Sequence, residues 1–110
     1  MTIFGSREQA IEAAFRHDQD LAFRIRTRRN RLLGLWVAEL IGLVGAAADA
    51  YAAELVTIGV EQPQKRDVVR KVQEDLLAHG IKLSTYRLNH KLDNLERLAG
   101  HQLVGETDKA

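Results

Sequence analysis

Apolar residues recur at steps of three, four or seven along nearly the whole chain, and a single proline, Pro63, interrupts them. That spacing places side chains on one face of a helix, whereas a strand would need alternation. With few β-branched residues, the pattern predicts an all-α chain. Its 110 residues fit one compact unit. Glycine and proline divide the pattern into four helices joined by short links, which makes sequential helices antiparallel neighbours in a four-helix bundle. The first helix is the longest, and the N-terminal part of it is expected to stand out as a mobile arm. The expected boundaries are an arm over 1–20, a bundle over 21–104 and a frayed tail over 105–110.

The first helix changes character along its length. From Phe4 to Ile25 its seam is thin: Phe4, Ile11, Phe15, Ala22 and Ile25, with gaps at Glu8 and Asp18. At about 25 cal/mol per Å² such a stripe buries too little area to hold a long helix without a partner. From Leu32 to Val44 the helix is apolar on most sides, as a core helix is. The only tryptophan, Trp36, is expected at the centre of that core, and Gly42 or Gly45 is expected to end the helix through a left-handed cap. Residues 46–61 form the second helix, with Tyr51, Leu55 and Ile58 inward and alanines that allow close packing against Trp36 or Leu40. Gly59 is expected to weaken the end of that helix. Pro63 suits the first turn of the third helix, whose face is Val68, Val69, Val72, Leu76 and Leu77. Gly80 and Ile81 should close that helix, and Ser84 should cap the fourth, whose face is Leu88, Leu92, Leu95 and Leu98 or Ala99.

Charge is distributed unevenly. The net charge is +1, yet residues 24–31 hold Arg24, Arg26, Arg28, Arg29 and Arg31. Residues 1–23 hold four carboxylates against two arginines. The basic run permits phosphate contacts, so a nucleic-acid or polyanion binder is the alternative reading. Against it, the arginines spread around the helix and the rest of the chain is not basic. Their simplest reading is a solvated, hinge-like segment between arm and bundle.

Catalytic and metal chemistry is poorly provided for. The chain has no cysteine, so disulfides, thiolate metal sites and cysteine nucleophiles are excluded. His17, His79, His90 and His101 lack a second histidine at helical spacing. No phosphate loop or nucleophile elbow occurs. The run from Leu32 to Ala48 carries Glu39 and three glycines, unlike the roughly 20 uncharged apolar residues of a membrane span. No signal peptide is visible. These features predict a non-enzymatic chain that does not insert into a membrane; the absence of cysteine fits a cytoplasmic location, and the chain is expected to be monomeric when free. The arm is more informative than the arginine run: an amphipathic helix with aromatic anchors can dock in a partner's groove, or fold back and complete the bundle, and the pattern alone favours neither.

Two blocks of residues carry a resemblance. The run Phe4-x-x-Arg7-Glu8-x-Ala10-x-Glu12-x-x-Phe15-x-His17-Asp18, then Phe23, then Arg28-Arg29-Asn30-Arg31-Leu32-Leu33-Gly34-Leu35-Trp36-x-Ala38, resembles the zeta-subunit family of alphaproteobacterial F-type ATP synthases. A weaker similarity continues through Asp67-Val68-x-Arg70-Lys71-Val72-x-x-Asp75-Leu76 and Lys91-Leu92-Asp93. Arg26-Thr27 and Gln19 depart from the family pattern and make the run more basic. The resemblance implies an inhibitor of ATP hydrolysis whose arm enters an interface between the alpha and beta subunits, reaches towards gamma and blocks rotation. On this basis the partner-binding residues are Phe4, Arg7, Glu8, Ile11, Glu12, Phe15, His17 and Asp18, with no nucleic acid expected as partner. No cofactor is required. The resemblance also implies adenine-nucleotide binding, at a site that no sequence motif locates.

Overall fold

The computed structural model describes the backbone of residues 3–109 and the side chains of residues 18–106. Four helices follow one another: α1 (Ile3–Leu40), α2 (Ala46–Glu61), α3 (Lys65–Ala78) and α4 (Thr85–Lys109). No strand occurs among the described residues. The contacts are those of an antiparallel bundle. Asn30 of α1 meets Gly59 of α2 while Gly34 meets Ala52. Tyr51 of α2 reaches Asp75 of α3, Lys65 of α3 reaches Asp93 of α4, and Arg29 of α1 reaches Glu96 of α4.

The helix ends follow from glycine and serine chemistry. Gly42 has φ +82°, and around it Leu43 N–H donates to Ala38 O at 2.8 Å and Gly42 N–H to Glu39 O at 3.3 Å. Gly80 repeats the arrangement at φ +76°, with Ile81 N–H donating to Leu76 O and Gly80 N–H to Leu77 O, each at 2.9 Å. Both are paired C-terminal caps that satisfy carbonyls a helix otherwise leaves open. Ser84 Oγ accepts from Arg87 N–H at 3.1 Å, the expected N-cap. Pro63 lies before α3 rather than in its first turn. Gln64 is the N-cap residue and Lys65 opens the helix.

The core is a single cluster in which Leu33, Val37, Leu55, Val72, Leu76 and Leu92 are wholly buried. Several sequence expectations need correction here. Trp36 is not the centrepiece. It is half-buried at the rim, with Lys91 Nζ 4.7 Å from its ring centroid, and Leu33, Val37 and Ala38 hold the centre instead. The buried positions 30, 33, 34, 37 and 38 define the inward face together, and 36 lies at its edge. The close α1–α2 approach is at Gly34 and Ala52. A β-carbon on Gly34 would stand 2.5 Å from Ala52 Cα, so the two backbones are separated by less than a methyl group allows. Gly59 is likewise a contact and not merely a weak point, since a β-carbon there would fall 2.1 Å from Asn30 Nδ2. Leu77 faces outward, at 63% exposure, because Leu76 already occupies the inward position; of the alternatives Leu98 and Ala99, it is Ala99 that is buried. α4 continues as helix through the expected tail to Lys109, with Glu106 bound to Arg28.

A polar network joins α2 to α3. Tyr51 OH donates to Asp75 Oδ2 at 2.6 Å, and Lys71 Nζ lies 3.1 Å from Glu54 and 3.2 Å from Asp75. Burial first, then the bond to Asp75, pushes the Tyr51 phenol far above its usual value. Burial pulls Lys71 down, but hydrogen bonds to Glu54 and Asp75 leave it above its usual value. Both folded-state values are raised, so both groups contribute fully at neutral pH. Their contributions are lost as pH rises past about 10, where the unfolded chain begins to release these protons. Tyr51→Phe is therefore expected to lower stability at pH 7 by about 1.5–3 kcal/mol, the usual worth of a hydrogen bond to a charged group. It should also flatten the loss of stability above pH 10. Urea denaturation at pH 7 and pH 10.5 checks both.

Candidate functional site

α1 emerges from the bundle through the arginine run. Upstream of Ile25, residues 18–20 and 22–24 are exposed, so the bundle does not cover this part of α1. Ala22 of the predicted seam is among them. Asp18, the last predicted partner residue, is exposed. The others, Phe4, Arg7, Glu8, Ile11, Glu12, Phe15 and His17, lie outside the residues whose side chains the structure describes. The backbone from Ile3 places them on the same helix as Ile25.

The five arginines have different fates. Arg24 and Arg31 are exposed, and Arg26 is half-buried with its guanidinium carbon 5.9 Å from the Phe23 ring centroid. Arg28 binds Glu106 through both terminal nitrogens, at 2.5 and 3.0 Å, and reaches Gln102 at 3.5 Å. Arg29 is 5% exposed. Its Nε donates to Asn30 Oδ1 at 3.2 Å and its terminal nitrogen to Glu96 at 2.9 Å. The run is thus not simply a solvated hinge: Arg28 and Arg29 fasten α1 to α4. Sequence reasoning missed Glu96, Gln102 and Glu106 as their partners, because no spacing rule connects residues 67 to 78 positions apart. The only available signal was that five clustered arginines call for counter-charges. With two of the five matched inside the fold, the run offers a weaker phosphate-binding surface than the sequence suggested.

Two further features bear on chemistry. A cavity of about 420 Å³ lies between α1 and α4, lined by Trp36, Leu83, Tyr86, Arg87, His90, Lys91 and Asn94. Tyr86 and His90 stack beside it, with centroids 6.4 Å apart and planes 8° from parallel. Among the described residues no group of three or more histidine, cysteine, aspartate or glutamate side chains is placed to hold a metal ion. His79 Nδ1 instead lies 3.0 Å from Asp75 O. No helix among the described residues is long and apolar enough to cross a membrane.

Comparison with known proteins adds one finding. The chain matches the family described as ATPase inhibitor subunit zeta over residues 1–102, a span that takes in the exposed end of α1 and nearly all of the bundle. No curated protein matches it.

The two paired arginines should differ in weight. Removing Arg29 strips a donor from the buried Asn30 and leaves a cavity, whereas Arg28 and Glu106 are both partly open to water. Arg29→Ala is expected to cost about 2–3 kcal/mol, in the range of a broken buried charged hydrogen bond. Arg28→Ala should cost under about 1 kcal/mol. Chemical denaturation of the two variants checks the ranking.

Proposed function

The chain belongs to the ATPase inhibitor subunit zeta family, and from that premise we propose how it inhibits: the N-terminal part of α1 inserts into an interface between the alpha and beta subunits of the F-type ATP synthase head. Reaching towards gamma, it blocks rotation in the direction of ATP hydrolysis. The role is regulatory, and association with the synthase comes with the family. The subunits contacted, and the cytoplasmic face of the membrane as the place of action, belong to the proposal.

The observation that carries it is the contrast along α1. One continuous helix runs from Ile3 to Leu40. Its last third is held in the core by Leu33 and Val37 and bound to α4 through Arg28 and Arg29. The described residues ahead of Ile25 are mostly exposed, with the seam residue Ala22 uncovered. At 1.5 Å per residue, the 22 positions from Ile3 to Arg24 span about 33 Å, enough to enter a deep interface. Phe4, Ile11 and Phe15 supply apolar anchors on one seam, and Arg7, Glu8, Glu12, His17 and Asp18 fix register and specificity. The bundle acts as a plug that limits travel. A helix already continuous with a folded bundle also loses less backbone freedom on binding than an unattached peptide, for which ordering costs about 1–2 kcal/mol per residue.

Deleting residues 2–18 should abolish inhibition of ATP hydrolysis by the purified head. Phe15→Ala should weaken it about thirtyfold, the equivalent of ~2 kcal/mol for an aromatic anchor. Inhibition by the truncated chain equal to that of the full chain overturns the reading.

Adenine nucleotide, under the same proposal, occupies the cavity beside Trp36. Arg87 and Lys91 supply positive charge for phosphates, and Trp36 and Tyr86 supply rings for a base. Because Trp36 is the only tryptophan, its fluorescence reports directly on the cavity. ADP should change the emission saturably, and Lys91→Glu should remove that response. No change at millimolar ADP rules the cavity out.

A further inference from the structure

The predicted docking seam runs Phe4, Ile11, Phe15, Ala22, Ile25, and the structure shows where it leads. Ala22 is exposed and Ile25 half-buried, with Ile25 Cδ1 3.9 Å from where a β-carbon on Gly100 would stand. At this point the seam passes from open α1 surface onto α4. Beside it the two helices enclose an open groove of about 360 Å³, lined by Ala22, Ile25, Arg26, Glu96 and Arg97.

The floor of this groove is apolar and its rim is basic. Arg26 is steadied over Phe23, and Arg97 donates to Asn94 Oδ1 on its own helix. Glu96 takes Arg29 at 2.9 Å, so its charge is matched from beneath. Asp93, one turn from Arg97, takes Lys65 at 2.5 Å. Among the described residues neither Arg26 nor Arg97 forms a salt bridge with a carboxylate. Two guanidinium groups therefore flank an apolar slot. The small side chain at position 22 lets another backbone approach closely.

We infer that this groove is a second foothold on the synthase head, seating a segment that presents an aliphatic side chain flanked by a carboxylate. Charge selects such an occupant, since a guanidinium pair at the edge of an apolar slot favours a carboxylate whose stem can bury. The seam selects its source. A partner that follows the seam from Phe15 meets Ala22 seven residues on, about 10 Å away along the same helix face. The inference rests on the proposed insertion of α1. It adds that bundle residues, Arg97 on α4 above all, take part in recognition and set the depth at which the arm stops.

The test uses the full-length chain and the purified head, with direct binding and ATP hydrolysis read together. Arg97→Glu and Ala22→Trp, both at exposed positions, should each weaken binding about tenfold or more without lowering the melting temperature. Arg97→Lys should keep most of the affinity, while the exposed Arg70→Glu on α3 controls for net charge and should change little. If Arg97→Glu and Ala22→Trp bind like the unaltered chain while Phe15→Ala loses binding, the groove is not a contact and arm insertion stands alone. Equal weakening by Arg70→Glu also overturns the groove, because the effect is then one of overall charge. If the unaltered chain does not bind the head, both readings fall.

Discussion

The grip of the bundle on its first helix depends on one polar knot. Asn30 is 2% exposed, its amide nitrogen seated where any side chain at Gly59 would be. Arg29 donates to the amide oxygen from one side and to Glu96 from the other. Three helices, α1, α2 and α4, are thereby registered at a single level. Buried polar groups are costly unless their partners are in place, and such a knot resists sliding more sharply than an apolar contact of equal area. One turn further on, Gly34 meets the backbone of Ala52. A shift of α1 along α2 would lift the Asn30 amide out of the Gly59 gap and bring a side chain against Ala52. The two glycines therefore fix the register together, and Leu33, Val37, Leu55 and Leu92 pack around it.

The knot also marks where the bundle stops. Toward the C-terminal end of α1 the apolar cluster encloses the helix, and toward its N-terminal end residues 18–20 and 22–24 are exposed. A thin seam would be a defect in a self-contained bundle. It makes physical sense on a helix whose far end is secured elsewhere, because the clamped turns supply the nucleus that an isolated helix lacks. Stability is concentrated in one half, and the described residues at the start of the other are mostly exposed.

Local signals were legible in the sequence and distant ones were not. The bounds of α2, the caps at Gly42 and Gly80, and the Ser84 cap all rest on chemistry confined to a few neighbouring residues, and the structure has them as expected. The failures share one physical cause. Gly59 reads as a weak point inside a helix until Asn30 is seen to fill the space beside it. Trp36 reads as core until Leu33 and Val37 are found to share the inward face, which leaves the indole at the rim beneath Lys91. Arg29 reads as solvated until Glu96, 67 residues later, is brought to it. Of the candidate site, spacing suggests a seam from Phe4 to Ile25, and the structure adds that Asp18 and Ala22 at its near end are exposed. The groove with Arg97 could not be read from spacing, since it exists only where α4 crosses α1.

From Arg24 to Arg29 the arginine run is a gradient of commitment, with Arg31 exposed beyond it. Arg29 is buried and tied to the knot, and Arg28 shares Glu106 with water. Arg26 rests on an exposed aromatic ring, and Arg24 is exposed. Desolvation strengthens and salt weakens these interactions in opposite order along the run. Raising ionic strength therefore loosens the outer arginines first and leaves the anchor intact. A run of equally exposed arginines would have made folding and partner binding compete for the same charges. Unequal burial separates them: Arg29 serves the fold, while Arg24 and Arg31 keep their charge open to solvent.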